Sequence, residues 1–182
     1  MELFDILDKD GKLTGLTATK GTQLQDGHYY LGVHVYIYNS AMEFLLQQRS
    51  YDKAFLPGGW EAILEHAVAG ENSMECAIRG IKEEVGLRVQ NDVRFVWRTI
   101  WEEYRHIIDV YFVEMDFSVD DLSLEPGKVI GAKFVSKKEM LTHISNMHYR
   151  PEEYRRYMTN KIKMLTYTGS SLISSTDEGG MS

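Results

Sequence analysis

Residues 57–87, PGGWEAILEHAVAGENSMECAIRGIKEEVGL, decide the fold and contain most of the candidate functional groups. The second half of this stretch predicts one helix from Ser73 to Val85, with Ser73 as the N-cap and Gly86 as the residue that ends it. Apolar residues recur there at three- and four-residue steps, as expected for the buried stripe of a helix. They are Met74, Ala77, Ile78, Ile81 and Val85.

Three charged residues, Arg79, Glu83 and Glu84, lie on or beside the opposite face of this helix, where side chains three to five positions apart are neighbours. The adjacent carboxylates of Glu83 and Glu84, next to a glycine-containing loop, predict a seat for a hard divalent cation such as Mg²⁺, which prefers oxygen ligands. On an arbitrary helix, two such glutamates more often only solvate the exposed face. The sequence around them therefore decides the interpretation.

That surrounding sequence resembles the signature of the Nudix hydrolase family, which reads Gly, five residues, Glu, seven residues and then Arg-Glu-aliphatic-x-Glu-Glu-x-Gly-aliphatic. The positions that match at the required spacing are Glu71, Arg79, Ile81, Glu83, Glu84, Gly86 and Leu87. Two positions depart from the pattern: Glu65 stands in place of the first Gly, and Gly80 stands in place of the Glu after Arg. The second departure removes a carboxylate that usually ligates the catalytic metal in the family.

The resemblance implies an α/β (α+β) Nudix fold, in which a mixed β-sheet is packed between α-helices. It also implies a hydrolase that needs Mg²⁺ or Mn²⁺ and cleaves the diphosphate linkage of a nucleoside diphosphate derivative or a similar small diphosphate. Glu84 and Glu83 are the implied metal-binding and catalytic carboxylates. Glu71 and Arg79 are the implied structural ion pair, bracing the loop against the helix.

Gly80 leaves three interpretations open. In the first, the site has lost a metal ion and most of its activity, so the domain binds a nucleotide or a protein partner. In the second, Glu65 lies close enough to replace the missing carboxylate as a metal ligand. In the third, a carboxylate from elsewhere in the chain completes the site; the candidates are Glu102, Glu103 and Glu114.

Substrate contacts are expected from a polar loop and from one histidine. Arg49 and Lys53, within residues 49–55, are candidates for binding substrate phosphates, although surface charges beside a loop explain them equally well. His66 is a candidate contact for phosphate or metal, although a hydrogen-bonded loop histidine is the more common case. The single cysteine, Cys76, is expected to be a small core residue.

One branch of the family has to be considered separately. The run LLQQRS at residues 45–50, the PGGW turn at 57–60 and the histidine that follows resemble the isopentenyl-diphosphate isomerase-like branch of Nudix proteins. The isomerases use a catalytic Cys a few positions after the Trp, but residues 61–65 contain none. Tyr30 stands where the isomerases have a metal-binding His. Isomerase activity is therefore not expected.

The organisation of the chain predicts a single domain over residues 1–168, because 182 residues with 43% hydrophobic content can bury one sizeable core. Residues 1–22 predict an N-terminal β-hairpin, and the Gly/Ser-rich residues 169–182 predict a mobile tail. Further strands are predicted at about 29–38, 43–48, 93–101, 106–115 and 129–135, and further helices at about 137–144 and 151–167.

Composition narrows the classes of partner. The net charge of −7 argues against a nucleic-acid polymer or an anionic membrane as the partner and leaves a small phosphorylated substrate. No run of about 20 apolar residues and no signal peptide is present, and the single cysteine fits a reducing compartment, so we expect a cytoplasmic location. Spare hydrophobic strands are compatible with a homodimer.

Overall fold

The computed structural model describes residues 2–90 and 92–167, so the predicted tail at 169–182 lies outside the described residues. The strands are β1 (Leu3–Leu7), β2 (Leu13–Thr19), β3 (Tyr29–Tyr38), β4 (Glu43–Arg49), β5 (Trp60–Glu61), β6 (Ile63–His66), β7 (Val93–Trp101), β8 (His106–Glu114) and β9 (Val129–Ser136). The helices are α1 (Ser73–Val85), α2 (Lys137–Ser145) and α3 (Glu152–Met164). None of these helices has the length and apolar character needed to cross a membrane.

A mixed sheet is organised around β3, which has four partner strands. The strand β8 runs parallel to β3 along its length, from the pair Tyr30 and His106 to the pair Tyr38 and Glu114. The strands β1, β6 and β4 pair antiparallel with the beginning, the middle and the end of β3. The sheet continues from β1 to β2, from β8 to β7, and from β4 to β5 and β9.

Helices cover both faces of this sheet, which confirms the expected α/β sandwich. One face packs against α1 in a core cluster that contains Val33, Val35 and Ile81. The opposite face packs against α2 and α3 in a second cluster that contains Tyr36 and Met158. Because both faces are covered, every residue of β3 is buried, although its sequence alternates between apolar and more polar side chains.

The helix α1 has the predicted bounds, but the prediction that Ser73 is its N-cap is wrong. Asn72 caps the helix: its side chain accepts a hydrogen bond from the Glu75 N–H, and the Glu75 carboxylate accepts one from the Asn72 N–H. The Ser73 hydroxyl lies 2.7 Å from the Tyr111 hydroxyl instead. Gly86, at φ 78°, ends the helix as predicted.

The remaining elements differ from the predictions in few places. The N-terminal hairpin is formed by β1 and β2, and Ser136 caps α2 with Glu139 in a capping box, as predicted. The last helix ends at Met164 rather than near residue 167. The short strands β5 and β6 were not predicted, because two and four residues are too few to show a period. They matter because β6 contains both Glu65 and His66.

A buried polar network joins β3 to α3. The Tyr154 hydroxyl is hydrogen-bonded to Nδ1 of His34 and lies 2.8 Å from the Tyr36 hydroxyl. Burial, together with the positive charges of Arg150 and His143, holds the pKa of His34 well below its ordinary value of 6.5. The unfolded chain therefore takes up a proton as the pH falls through about 6.5, whereas folded His34 stays neutral, so acidification lowers stability.

Replacing His34 by glutamine is expected to make the free energy of unfolding less dependent on pH. Between pH 6 and pH 5 the slope of that free energy should decrease by about 1.4 kcal/mol per pH unit, the contribution of one proton. Urea unfolding at a series of pH values measures the slope. His148→Gln, at an exposed position, is the matched control and should leave it unchanged. Equal slopes for His34→Gln and the wild type would contradict the assignment.

Candidate active site

A cavity of about 860 Å³ lies between the N-terminal hairpin, the loop after β4, the strand β6, the helix α1 and the turn before β9. Two groups of charged side chains line it. The acidic group comprises Glu65, Glu83, Glu84 and Glu125, with Arg79 and Lys128 beside it; the basic group comprises Arg49, Lys53 and Arg150. Apolar and aromatic side chains complete the wall, among them Phe4, Phe55, Leu64 and Tyr104.

Glu84 is buried beside the cavity, at 6% exposure, rather than on the exposed face of α1. Burial, helped by the charges of Glu65 and Glu61, raises the pKa of Glu84 to about 8, although the hydrogen bond from Gln47 acts in the opposite direction. A carboxyl group that titrates near neutral pH can both accept and release a proton. Glu83, one position earlier, is far more exposed.

The structure places Glu71 and Arg79 in direct contact, as the family resemblance implied. Nε and Nη2 of Arg79 each lie 2.8 Å from a carboxylate oxygen of Glu71, and Nη2 also donates to the His66 carbonyl at 2.9 Å. The hydrogen bond with Glu71 raises the pKa of Arg79. These contacts tie the loop before α1 to the middle of the helix.

Glu71→Gln is expected to lower the free energy of unfolding by about 2 kcal/mol, because it weakens two charge-assisted hydrogen bonds to a partly buried guanidinium group. Glu83→Gln is the matched control. It also removes a carboxylate that contacts Arg79, at 3.2 Å, but at an exposed position where the loss should be about 0.5 kcal/mol or less. Urea unfolding compares the two variants. Equal losses would contradict the structural role of Glu71.

Glu65 and Gly80 are complementary. A Cβ atom at position 80 would lie 3.0 Å from Cβ and 3.4 Å from Cγ of Glu65, so the Glu65 side chain fills the space beside α1 into which a side chain at 80 would project. The carboxylate of Glu65 points onward to Arg79 and Lys128, at 3.9 and 3.7 Å. The close approach of Glu65 explains why a glycine stands inside this helix despite its cost of about 1 kcal/mol relative to alanine.

The acidic group surrounds an amine. Nζ of Lys128 lies 3.0 Å from a carboxylate oxygen of Glu125 and 3.7 Å from an oxygen of each of Glu65 and Glu83. Within residues 2–90 and 92–167, no three His, Cys, Asp or Glu side chains are arranged to hold a metal ion as they stand.

The chemistry of the donors nevertheless fits Mg²⁺ or Mn²⁺. The carboxylate oxygens of the acidic group are the ligands that a hard cation prefers. The amide oxygen of Gln47, a residue at 2% exposure beside Glu84, has no hydrogen-bond partner among the described residues. This buried oxygen without a partner, next to the Glu84 carboxylate, can serve as a further ligand for such a cation.

The carboxylates considered as additions to the signature lie elsewhere. Glu102 accepts a hydrogen bond from the Tyr29 hydroxyl, and Glu114 accepts one from the Tyr38 hydroxyl. Neither of them, nor Glu103, lines the cavity that the described residues form. Two other glutamates, Glu2 and Glu125, do line it, and Glu125 contacts Lys128 within the acidic group. Sequence reasoning missed both.

All three predicted substrate contacts, Arg49, Lys53 and His66, line the cavity. Arg49 is already paired, because its Nη1 lies 2.5 Å from Oε1 of the fully buried Glu61. The other oxygen of Glu61 lies 3.3 Å from Nη2 of Arg150.

Arg150 was not predicted as a site residue. Its guanidinium group lies 4.5 Å from the ring centroid of Trp101 and 5.3 Å from that of Phe55, so it is held in an aromatic environment at the cavity wall. The only sequence signal for Arg150 was its position before Pro151, which marks a helix start and carries no functional information.

His66 belongs to a pair of neutral imidazoles. Its Nε2 lies 2.8 Å from Nε2 of His106, whose Nδ1 lies 2.5 Å from the Tyr104 carbonyl. Burial and the neighbouring His106 lower the pKa of His66 to about 3, and burial also lowers the pKa of His106. Since the Tyr104 carbonyl needs a donor, the Nδ1 of His106 carries the proton and its Nε2 accepts from His66. At neutral pH, His66 therefore offers the cavity a neutral ring and no positive charge.

Comparisons with known proteins show the family to which the chain belongs. A family model described as the NUDIX domain matches residues 28–158. An uncharacterized Nudix hydrolase of Listeria monocytogenes is 31% identical over 162 residues, which cover 88% of this chain and 95% of that protein. An isopentenyl-diphosphate Delta-isomerase of Pectobacterium atrosepticum is 33% identical over 84 residues, which are only 46% of each chain.

The crystal structure of a protein from Deinococcus radiodurans has the same fold, with a TM-score of 0.65, 14% identity and coverage of 89% of this chain and 98% of that one. The domain match covers most of the chain, and the Listeria relative is matched along nearly its whole length. The chain therefore belongs to the Nudix hydrolase family.

Proposed function

We propose that the protein is a Mg²⁺- or Mn²⁺-dependent pyrophosphohydrolase that cleaves the diphosphate linkage of a nucleoside diphosphate derivative or a similar small diphosphate. The observation that carries this proposal is the fit between Glu65 and Gly80. The signature has a glutamate where this chain has Gly80, and the Glu65 side chain lies 3.0 Å from the place where a Cβ at position 80 would stand, so we infer that its carboxylate replaces the missing one. In this proposal the acidic group keeps its number of carboxylates despite the departure from the signature.

In this proposal Glu65, Glu83 and Glu84 hold the cation, with Glu125 beside them. The bound ion would polarise phosphate oxygens and lower the pKa of a water molecule. In the metal-free protein burial raises the pKa of Glu84 to about 8, so its carboxyl group must release a proton before it can hold the ion. Gln47 orients Glu84 through its amide N–H.

Cations on the other part of the wall suit the phosphates of the substrate. Lys53 lines the cavity without a salt bridge among the described residues, and Arg49 and Arg150 share a single carboxylate, that of Glu61. The partly exposed rings of Phe55 and Tyr104 line the same cavity and offer surfaces on which a base can stack. A charged diphosphate with an aromatic group matches this combination.

The test is the release of phosphorylated products from a panel of nucleoside diphosphate derivatives, with Mg²⁺ or Mn²⁺ and with EDTA as the metal-free control. The proposal requires turnover that depends on the metal and that is lost in Glu84→Gln. Glu153→Gln, at an exposed position on α3, is the matched control.

A second candidate function follows from the unusual position 80 and from the cations within the acidic group. In that case the protein is a catalytically impaired Nudix domain that binds a nucleotide or a protein partner. Binding of the panel nucleotides without turnover in any metal would favour it. Isomerase activity is not proposed, because the thiol of Cys76 is fully buried in the core and its pKa is raised by burial.

A further inference from the structure

Lys128 occupies an unusual place in the acidic group. Its backbone is fixed, because its N–H donates to the Glu125 carbonyl at 3.1 Å and its carbonyl accepts from the Ser50 N–H at 2.9 Å. Its side chain is about one-third exposed, and its ammonium group lies within 4 Å of three carboxylates, those of Glu65, Glu83 and Glu125. A flexible stem on a fixed backbone lets the charge move while its origin stays in place.

The other cation of the group cannot move in this way. Arg79 is held by two hydrogen bonds to Glu71 and by one to the His66 carbonyl. Lys128 makes a single close contact, with Glu125, and its distances of 3.7 Å to Glu65 and Glu83 are those of ion pairs without a hydrogen bond. Lys128 is therefore held by fewer hydrogen bonds than Arg79.

A divalent ion would compete with this ammonium group for the same oxygens. Mg²⁺ binds carboxylate oxygens at about 2.1 Å, and Nζ lies 3.7 Å from an oxygen of Glu65 and from an oxygen of Glu83. An ion shared by Glu65 and Glu83 would thus lie within a few ångströms of the ammonium group. Repulsion between a double and a single positive charge at such a distance opposes their presence together in the group.

We propose that Lys128 is a built-in competitor of the metal ion: its ammonium group neutralises Glu65, Glu83 and Glu125 in the free protein and leaves them when a divalent cation binds. Lys128 thereby sets the metal concentration at which the site fills. This inference depends on the metal site proposed above and adds a residue that lies outside the family signature. It predicts that removing the charge tightens metal binding, which is the opposite of what removal of a ligand would do.

The experiment is calorimetric titration of the full chain with Mn²⁺, comparing the wild type with Lys128→Met, Lys128→Arg and Lys138→Met. We expect Lys128→Met to bind Mn²⁺ at least about tenfold more tightly, because one charge no longer opposes the ion. Lys128→Arg keeps the charge and should stay within about threefold of the wild type. Lys138→Met removes an equal charge from an exposed position on α2 and should match the wild type. If Lys128→Met does not fold, Lys128→Gln takes its place.

The outcomes separate this inference from the proposed function. Tighter binding in Lys128→Met but not in Lys138→Met would support the inference, and a larger increase in Tm on adding Mn²⁺ would support it independently. If the wild type binds Mn²⁺ and Lys128→Met binds it with equal or lower affinity, the role of Lys128 is overturned and the metal site stands. No Mn²⁺ binding in any variant, the wild type included, would overturn the metal site and this inference with it.

Discussion

Glu84→Gln is expected to lower kcat/KM for the substrate by at least about 100-fold without unfolding the protein. Glutamine keeps the size of Glu84 and an oxygen that accepts the hydrogen bond from Gln47, but it has no negative charge to offer a metal ion. Initial rates with saturating Mg²⁺ measure the loss. More than about one-tenth of the wild-type activity in the variant would contradict the role of Glu84, and Glu153→Gln should retain full activity.

The same variant should change how stability depends on pH. The folded wild type holds a proton on Glu84 up to a pKa of about 8, whereas the unfolded chain loses it near 4.5. The contribution of Glu84 to the free energy of unfolding therefore falls as the pH rises between these values, by about 1.4 kcal/mol per unit. In EDTA, the free energy of unfolding of Glu84→Gln should therefore rise relative to that of the wild type by about 1.4 kcal/mol for each pH unit between pH 5 and pH 7. A constant difference would show that Glu84 ionises normally.

Exchanging the residues at positions 65 and 80 is expected to restore a working site that either single change damages. Glu65→Gly removes a carboxylate and should weaken Mn²⁺ binding by about tenfold or more. Gly80→Glu alone should destabilise the protein, because its Cβ would lie 3.0 Å from Cβ of Glu65. The double variant Glu65→Gly, Gly80→Glu relieves this contact and keeps the number of carboxylates, so we expect Mn²⁺ affinity within about threefold of the wild type.

A double-mutant cycle that combines Gly80→Ala with Glu65→Gly measures the steric part of the coupling between positions 65 and 80. Gly80→Ala should raise stability by about 1 kcal/mol when residue 65 is glycine, because alanine favours the helix. With Glu65 in place, the close contact should cancel much of that gain. Additive effects in this cycle would show that the two positions are independent and would contradict the complementarity of Glu65 and Gly80.

The sequence predicted those parts of the site that lie within one continuous stretch. Spacing along α1 places Glu83, Glu84 and Arg79 near one another, because residues on one helix have fixed positions relative to one another. Their roles follow from the family resemblance and stay predictions. The sequence does contain the information needed to identify the correct N-cap of α1. Asn72 followed three residues later by Glu75 is itself a capping-box pattern, and the neighbouring Ser73 was preferred to it.

The rest of the site depends on contacts between distant segments. Gln47 reaches Glu84 because β4 is held in the sheet by β3 and β9, and Lys128 reaches the acidic group because its carbonyl bonds to Ser50. Register between strands is set by packing over the whole sheet, and no local pattern shows it. For the same reason, Glu125 and Arg150 were not predicted as site residues, since each lies in a turn that carries no functional motif.

The N-terminal hairpin forms part of the cavity wall although it lies outside the family match. The family match begins at residue 28, yet Phe4 and Lys20 line the cavity. The hairpin is attached on both sides, by the hydrogen bond from the Gly70 N–H to Asp5 and by those from the Tyr30 hydroxyl to the carbonyls of Thr19 and Thr22. The boundary of the matched domain and the boundary of the cavity are therefore different. Under the proposed function, exchanging the matched domain alone between two Nudix proteins would leave one wall of this cavity, and its substrate contacts, behind.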